Sequence, residues 1–266
     1  MEGLIVGIIG CGNMGSAIAR GMVDRGIASG DSIFLYDKDI KKAAQLAEKT
    51  GCVQKDLSQL VRSSDFLVIA VKPQDFDVLA GEIAGDIAEQ TIVSVMAGIG
   101  ISAITGKLGR ELPVVRAMPN MAAFVGESIT CISCSGMVNN TEKVKNIFSG
   151  IGKVLELDEK LLDGATALSG SGPAYLFYLA EAMIDAAREA GFDEVTAKEL
   201  VVQTLYGSAA LLKGTGSSPE DLIRKVASKG GTTEAALSVF DEKDLKSHIK
   251  AAILKAKQRS EELSRG

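Results

Sequence analysis

The sequence predicts an α/β domain over residues 1–160 followed by an all-α domain over residues 161–266. Up to about residue 160, apolar β-branched runs alternate with helical patterns, which is typical of a parallel sheet flanked by helices. Beyond that point the strand-like runs disappear, and long alanine-rich helical patterns follow. A chain of 266 residues is also long enough for two domains of ordinary size.

The composition is typical of a globular protein that acts on a small molecule. Hydrophobic residues make up 46% of the chain and charged residues 24%, and no segment has low complexity. The net charge of -5 argues against a nucleic-acid or anionic-membrane partner, because neither offers positive charge to an acidic surface. We therefore expect a small-molecule substrate, no nucleic acid and no membrane.

The cysteines and the N-terminal residues indicate a cytoplasmic protein without a metal site. The first apolar run is too short to cross a bilayer and leads into glycines, so neither a signal peptide nor an anchor is expected. Cys131 and Cys134 form one CxxC pair, but no second pair accompanies it and the single histidine, His248, is distant in the sequence. The four cysteines are better interpreted as small buried residues in a reducing compartment.

A glycine motif near the N-terminus gives the first domain its predicted fold. Gly10, Gly12 and Gly15 have the G-x-G-x-x-G spacing, directly after the apolar run Leu4–Ile9 and before a helical pattern. In this context the glycines allow a tight turn, a close approach of a pyrophosphate and close helix packing. The phosphates would lie at a helix N-terminus, which favours negative charge. The alternative is a tight strand-to-helix turn without a ligand, but the later segments favour a Rossmann-type dinucleotide-binding domain.

The remaining elements follow from hydrophobic periodicity. Strands are predicted at 4–9, 32–36, 66–71, 91–95, 113–117, 128–133 and 153–157, and the segment at Cys52 and Val53 is an additional candidate. Helices are predicted at 13–26, 39–50, 56–62, 75–88 and 141–150, and then at 161–168, 173–190, 194–213, 217–226 and 242–263. The segment Ser169–Pro173 is predicted to break the chain, with Ser171 as the N-cap of the helix that follows.

The end of the second strand bears on the choice of dinucleotide. Asp37 follows Tyr36 about 20 residues after the glycines, where a carboxylate accepts hydrogen bonds from the adenosine ribose and repels a 2′-phosphate. That favours NAD. The adjacent lysines, of which Lys38 is the first, could instead pair with a 2′-phosphate, although a solvated helix face is the preferred interpretation.

Three further strand ends predict a nicotinamide pocket. Val71–Pro73, Ala97–Gly98 and Asn120 each follow a buried strand, and the carboxyl ends of parallel strands form the ligand-binding edge of such a sheet. Each segment alone could be an ordinary turn. The three together indicate a binding site.

The second domain is predicted to dimerise and to bind a carboxylate. A domain of about 100 residues built from long alanine-rich helices has little room for a hydrophobic core of its own. The apolar stripes of its helices should therefore be buried against a second copy. A monomeric helical cap is the alternative. Within this domain Ser228–Thr233 places two glycines and two threonines at a helix start, and the exposed N–H groups and hydroxyls of such a nest suit a carboxylate.

Five segments along the chain together resemble the pyrroline-5-carboxylate reductase family: GCGNMGSAIARGM, AVKPQ, VVRAMPN, LSGSGPAY and SKGGTTEAAL. The likeness covers essentially the whole chain, and LSGSGPAY followed by GGTT is its specific part. The resemblance implies reduction of 1-pyrroline-5-carboxylate to L-proline with NADPH or NADH, the last step of proline biosynthesis. It also implies a homodimer, often within a larger ring of dimers, with each active site formed by the cofactor domain of one protomer and the helical domain of its partner.

The resemblance further implies roles for individual residues. Catalysis would involve the Thr233 hydroxyl, placed near the ring nitrogen of the cyclic imine carboxylate. Substrate binding would involve Asn120, Ser228, Gly230, Gly231, Thr232 and Thr233. The cofactor, NADP or NAD in its reduced form, would be bound by Gly10, Gly12, Asn13, Met14, Gly15, Tyr36, Asp37, Lys38, Val71, Lys72, Pro73, Ala97, Gly98 and Asn120.

Two features depart from the family pattern. Lys229 stands where the family usually has proline, and Asp37 conflicts with the family's usual preference for NADPH. Two alternatives remain. A β-hydroxyacid dehydrogenase would need a catalytic lysine in the helical domain, for which Lys198 and Lys213 are the candidates, and a catalytically silent dinucleotide sensor would bind cofactor without turnover. The GGTT nest argues against both.

Overall fold

A computed structural model of the chain describes residues 4–265 and contains two compact units. The first unit runs through Ser171 and also takes in the chain from Ala256 onward, whereas the second comprises Gly172–Lys255. The predicted α/β and all-α regions are therefore confirmed as a fold class. The predicted functional boundary at residue 160 stays a prediction, because compactness alone separates the units eleven residues later and returns the last turns of the chain to the first unit.

An eight-stranded sheet forms the centre of the first unit, with the strand order β3-β2-β1-β4-β5-β6-β7-β8. The strands are β1 Val6–Ile9, β2 Ile33–Tyr36, β3 Val53–Gln54, β4 Phe66–Ile69, β5 Thr91–Ser94, β6 Val114–Met118, β7 Ser128–Cys134 and β8 Gly152–Glu156. All seven predicted strands are present, and the candidate at Cys52 and Val53 is β3. The order reverses its direction at β1, so a crevice opens beyond the carboxyl ends of β1 and β4.

The predicted parallel sheet is confirmed from β3 through β6, and the pairing of β7 with β6 departs from it. β7 pairs with β6 in the antiparallel sense, and β8 then pairs with β7 in the parallel sense. The cause is the length of the connection: the residues between Met118 and Ser128 form a short 3₁₀ helix, Met121–Val125. A parallel crossover needs a dozen or more residues, so this connection reverses the chain instead.

Helices cover both faces of the sheet and make up the second unit. They are α1 Asn13–Asp24, α2 Ile40–Thr50, α3 Leu57–Ser63, α4 Phe76–Ile83, α5 Ile101–Leu108, α6 Thr141–Ser149, α7 Leu162–Ala165, α8 Gly172–Glu189, α9 Glu194–Thr215, α10 Pro219–Val226, α11 Thr232–Glu242 and α12 Leu245–Arg265. Apolar residues on the two faces form two core clusters, so that the neighbours Ile8 and Ile9 on β1 belong to different clusters. This alternation is that of a strand buried on both faces.

The structure differs from the sequence analysis at two helices, α4 and α5. The predicted helix 75–88 forms regular α-helix only over α4, after a 3₁₀ turn at Pro73–Asp75. α5 was not predicted, because its short sequence contains β-branched residues and Gly106, which are weak helix formers. It nevertheless forms between Gly100 as N-cap and Gly109 in the left-handed conformation, which ends the helix.

The predicted chain break at Ser169–Pro173 is wrong. The backbone of Thr166–Gly170 forms a π-helical turn, and Ser171 has helical φ and ψ values of -84° and -19°. The Ser171 N–H donates to the Thr166 carbonyl at 2.9 Å, five residues back, so Ser171 is no N-cap. The extra residue in the turn accommodates the sequence around Gly170 without ending the helix.

The second unit buries very little of its own apolar surface. Within residues 172–255, all of which the structure describes, Ala197 and Val201 are the buried residues. Large apolar side chains such as Phe177, Tyr178 and Tyr206 are more than half exposed. Across residues 4–265, no helix is both long and apolar enough to cross a lipid bilayer.

Candidate active site

The predicted cofactor residues of the first unit lie along one edge of the sheet. Ile9 is in register with Tyr36 on one side and with Ile69 on the other, and Ile69 is in register with Ser94. The segments that follow these residues therefore start at the same level. The edge brings together the glycine loop, Asp37, Val71–Pro73 and Ala97–Gly98, and β6 adds Asn120 beyond its own carboxyl end.

The glycine loop has little space beneath it and open space above it. Gly10 has a φ of +102°, and a Cβ there would lie 2.7 Å from the Ala70 carbonyl oxygen. A Cβ at Gly15 would overlap the Gly10 carbonyl oxygen, so Gly15 allows α1 to start directly against the loop. At Gly12, by contrast, a Cβ would meet nothing within 4 Å. The backbone at Gly12 is therefore open to a ligand, as the predicted role requires.

The start of α1 is suited to an anion. Gly12 and Asn13 are exposed, Met14 is half-buried, and the first turn of the helix contains no acidic residue. The unpaired N–H groups and the helix dipole at such a start favour phosphate. These residues fit the pyrophosphate of a dinucleotide.

Asp37 is tied to the glycine loop. One carboxylate oxygen accepts a hydrogen bond from the Cys11 N–H at 2.7 Å, and the other accepts one from the Asp39 N–H at 2.8 Å. The Gly10 N–H also donates to the Tyr36 carbonyl at 2.8 Å. The end of β2 therefore holds the loop in shape, a role of Asp37 that the sequence did not reveal. Each carboxylate oxygen retains a lone pair for a ribose hydroxyl.

The residues around Asp37 present both charge signs to solvent. The Lys38 ammonium forms an exposed ion pair with Asp75 at 3.2 Å, and Lys72 is exposed at the start of the 3₁₀ turn that contains Pro73. An exposed pair of this kind contributes little energy and can be exchanged for a ligand phosphate. The geometry thus leaves the choice between NAD and NADP open.

Cys11 lies within the glycine loop but is not a reactive thiol. It is 5% exposed, and burial together with the charge of Asp37 raises its pKa to about 12. Because only the thiolate is an effective nucleophile, Cys11 is inert near neutral pH. Its position reflects packing beneath the loop.

Asn120 holds two segments together beside the predicted nicotinamide position. Its side-chain oxygen accepts from the Ala122 N–H at 3.1 Å, and its side-chain nitrogen donates to the Ser169 carbonyl in the π-helical turn at 3.1 Å. Its own N–H donates to Ser128 Oγ at 3.1 Å. These contacts give Asn120 a structural role, and its contact with substrate or cofactor stays a prediction.

The predicted carboxylate nest belongs to the second unit. Gly230 has a φ of +75°, Gly231 is the N-cap of α11, and Thr232 and Thr233 form its first two residues. The Gly231 N–H donates to the Ser228 carbonyl at 3.0 Å, which closes the turn. Ser228, Lys229 and Thr232 are exposed and Thr233 is half-buried, so the loop is open to a ligand.

Glu234 is a neighbour of the nest that sequence reasoning missed. Its carboxylate accepts a hydrogen bond from the Gly230 N–H at 2.6 Å and so fixes the loop from within the helix. The signal was present, because an acidic residue three positions after an N-cap commonly reaches back to the preceding backbone. Two N–H groups of the nest, those of Gly230 and Gly231, are therefore already engaged by the protein itself.

Chemically, the start of α1 in the first unit is suited to phosphates, and the start of α11 in the second unit is suited to a carboxylate and has adjacent hydroxyls. Among residues 4–265, no group of three or more His, Cys, Asp or Glu side chains is arranged to hold a metal ion. All four cysteines are free thiols. Such an arrangement suits a reaction that needs a bound dinucleotide and an oriented small acid.

Comparisons with known proteins agree with this arrangement. A family model described as pyrroline-5-carboxylate reductase dimerisation matches residues 159–263, and one described as NADP oxidoreductase, coenzyme F420-dependent, matches residues 5–98. Pyrroline-5-carboxylate reductase from Methanosarcina acetivorans is 36% identical over 270 residues, which is 100% of both chains.

Solved structures give the same result. The structure of a pyrroline-5-carboxylate reductase from Coxiella burnetii has a TM-score of 0.91 and 31% identity, and covers 97% of this chain and 98% of its own. The crystal structure of Plasmodium falciparum pyrroline carboxylate reductase, with NADP bound, has a TM-score of 0.89 and 30% identity, with 99% of both chains covered. Similarity at this level extends over the glycine loop, the sheet and the nest together. The chain therefore belongs to the pyrroline-5-carboxylate reductase family.

Proposed function

We propose that the protein reduces 1-pyrroline-5-carboxylate to L-proline with hydride from NADH or NADPH, the last step of proline biosynthesis. The observation that carries this proposal is a match to reductases over the full length of the chain. The open glycine loop and the nest of Gly230–Thr233 support it, because the reaction needs one site for a dinucleotide and one for a carboxylate.

The first unit binds and orients the cofactor. When bound, the reduced nicotinamide supplies the hydride. The N–H groups at the start of α1 hold the pyrophosphate, while Asp37 keeps the loop closed and faces the adenosine ribose. Val71–Pro73 and Ala97–Gly98 border the ribose and nicotinamide.

The second unit orients the substrate. The free N–H groups at the start of α11 and the hydroxyls of Ser228 and Thr232 hold the carboxylate of the cyclic imine. The Thr233 hydroxyl lies beside the ring nitrogen. Glu234 keeps Gly230 in its left-handed conformation, which fixes the direction of these donors.

The chemistry needs positioning more than acid catalysis. A cyclic imine is readily protonated, and its iminium form accepts hydride at the ring carbon without a strong acid from the protein. Holding the two carbons at attack distance is then the main contribution of the residues. The absence of a histidine from the predicted site is consistent with this route.

The oligomer proposed here is a homodimer formed by the helical unit. The few buried residues of that unit support it, since a second copy would cover the apolar faces of α8 and α9. In this proposal the partner's nest completes the active site. A larger ring of dimers rests on the family resemblance alone, and sedimentation velocity measures it. The four free thiols support a cytoplasmic location.

The test is an absorbance assay of cofactor oxidation with pyrroline-5-carboxylate and either NADH or NADPH. Turnover with proline as product is expected. A folded dimer that binds cofactor but turns over neither mixture would contradict the proposal and favour the dinucleotide sensor. Turnover of a hydroxy acid instead would favour the β-hydroxyacid dehydrogenase, for which Lys198 and Lys213 were the catalytic candidates.

A further inference from the structure

A buried ion pair lies beneath the predicted nicotinamide side of the first unit. Arg116, on β6, is only 6% exposed in its side chain and donates to Asp163 Oδ1 at 2.9 Å. It also lies 3.8 Å from Glu159 Oε1. A buried cation must be paired to be tolerated, so these contacts are fixed features of the fold. The proposed chemistry does not use any of the three side chains.

The two carboxylates reach different parts of the chain. Glu159 Oε1 accepts a hydrogen bond from the Ile101 N–H at 2.8 Å and so caps α5, which directly follows the segment 97–100. Asp163 Oδ1 accepts from Ser260 Oγ on α12 at 2.9 Å. Ser264 Oγ, one turn further along α12, lies 3.1 Å from the same carboxylate oxygen and 3.0 Å from the Ser260 carbonyl, and its hydroxyl is shared between these two acceptors. Burial alone would raise the pKa of Asp163, but the bonds from Ser260 and Arg116 hold that pKa below its usual range. The carboxylate is therefore charged at neutral pH.

The last turns of α12 lie against Gly98. Gly98 is buried with a φ of +75°, and a Cβ built there would lie 3.2 Å from Leu263 Cβ and 3.5 Å from the Leu263 carbonyl carbon. Ser260 and Ser264, which flank Leu263, are the residues bound by Asp163. The same ion pair thus holds segment 97–100 from both sides, at Gly98 through α12 and at Ile101 through Glu159.

We propose that Ser260 and Ser264 are positioning residues, which act with Arg116, Glu159 and Asp163 to fix segment 97–100 as the wall against the nicotinamide. The inference rests on the proposed function, which places Ala97 and Gly98 at the nicotinamide. At Gly98 the backbone of this wall is left-handed, a conformation that favours glycine, and α12 packs against it at Leu263. Rigid support from surrounding residues is what keeps such a site in its binding geometry.

The test compares a whole dinucleotide with a fragment that lacks nicotinamide. The double variant Ser260→Ala/Ser264→Ala removes both hydroxyls from Asp163, and calorimetry measures its binding of NADH and of ADP, which lacks the nicotinamide and the ribose attached to it. We expect NADH affinity to fall about three- to tenfold while ADP affinity is unchanged, because ADP does not reach the loosened wall. If NADPH is the tighter ligand of the wild-type protein, the fragment is ADP with a 2′-phosphate.

Matched variants separate this role from a general loss of structure. Ser149→Ala removes a similar hydroxyl, bonded to a carbonyl at the end of α6, and should bind both ligands normally. Ser264→Thr keeps a hydroxyl near Asp163 and should bind NADH with the affinity of the wild-type protein. Thermal unfolding checks that each variant is folded. Should the double variant not fold, Ser264→Ala alone, at a half-buried position, carries the same comparison.

Two results overturn the inference. Equal weakening of both ligands would mean that the serines support the whole unit, and unchanged binding of both would mean that they support nothing at the site. If the wild-type protein itself binds neither ligand, the proposed function is contradicted. Failure of the proposed function can therefore be distinguished from failure of the inference about the two serines.

Discussion

Thr233 is the single side chain on which the proposed substrate orientation depends most directly. Thr233→Val keeps the shape of the side chain but removes its hydroxyl, so the imine nitrogen loses one aligned hydrogen bond. We expect kcat/KM for pyrroline-5-carboxylate to fall about tenfold to a thousandfold. Steady-state kinetics measure this change.

The matched control is Thr204→Val. The Thr204 hydroxyl donates to the Leu200 carbonyl within α9 at 2.7 Å, so its loss should leave kcat/KM near the wild-type value. Unchanged kinetics in Thr233→Val would remove Thr233 from the mechanism.

Asp37 combines two roles, repulsion of a 2′-phosphate and support of the glycine loop, and two substitutions together separate them. Asp37→Ser removes the charge that repels a 2′-phosphate, so we expect the ratio of kcat/KM values to move toward NADPH by about tenfold. It also removes the acceptor of the Cys11 N–H, so the affinity for both cofactors should fall. Kinetics with both cofactors measure the ratio and the common loss.

Asp37→Asn distinguishes charge from loop support, since its side-chain oxygen still accepts one hydrogen bond. A similar change of ratio in both variants would assign the preference to charge. If the ratio stays constant in both, the lysines decide the preference, and Lys38→Ala becomes the informative variant.

For single residues, the sequence predicted roles that depend on neighbouring positions, but it did not predict contacts between residues far apart in the chain. Gly10, Gly12 and Gly15 could be identified because their roles depend on neighbours in the sequence. The hydrogen bond from Asn120 to the Ser169 carbonyl joins residues 49 positions apart, and no sequence pattern predicts it. Only the folded chain reveals that Asn120 supports the turn beside it.

The glycine loop provides the sharpest prediction about an element. A Cβ at Gly12 meets nothing in the protein, whereas one at Gly15 overlaps the Gly10 carbonyl. Gly12→Ala should therefore keep the thermal stability of the wild-type protein and weaken cofactor binding about tenfold or more. Gly15→Ala should lose about 1–3 kcal/mol of unfolding free energy, because the backbone must shift.

Thermal unfolding and calorimetry with the cofactor test this pair together. Loss of stability in Gly12→Ala would show that the open space is not reserved for a ligand. Normal cofactor binding in that variant would place the pyrophosphate elsewhere on the edge of the sheet.

Secondary structure was predictable where one periodicity dominates. The buried strands β1, β4 and β5 are continuous apolar runs, and each was found near its predicted position. The direction of β7 and the π-helical turn at Thr166–Gly170 were missed, because both depend on how a short segment fits its surroundings. Tertiary packing decides such cases against local preference.

For the whole molecule, the exposed apolar surface of the helical unit predicts obligate association. Tyr178, on α8, is 76% exposed, and a charge at this position would have to be buried in a dimer. Tyr178→Asp should raise the dimer dissociation constant at least about a hundredfold, as expected for an aromatic interface residue. Sedimentation velocity over a dilution series measures the shift.

Val78→Asp is the control, since Val78 is 68% exposed on α4 of the first unit. It should remain dimeric. A dimer in Tyr178→Asp at all concentrations would place the interface on another face, and an active wild-type monomer would contradict a shared active site.

The sequence predicted a second, all-helical region, but it did not predict where the compact units are divided. The change from alternating elements to helices alone marks the second region, but the last helix follows the same amphipathic rule throughout its length. Nothing in that pattern distinguishes the part before Ala256 from the part that joins the first unit. The difference lies in the contacts of Ser260 and Ser264, which follow Ala256 and bond to Asp163 of the first unit.

The return of α12 to the first unit has a consequence for biosynthesis. The bonds of Asp163 to Ser260 and Ser264 span 97 and 101 residues of sequence. A ribosome delivers all eight strands long before it delivers these serines, so the nascent sheet must wait for the whole of residues 172–255 before its last contacts can form. Because such long-range contacts form slowly, the first unit should become fully resistant to protease only after residues 256–264 have left the ribosome and packed onto it.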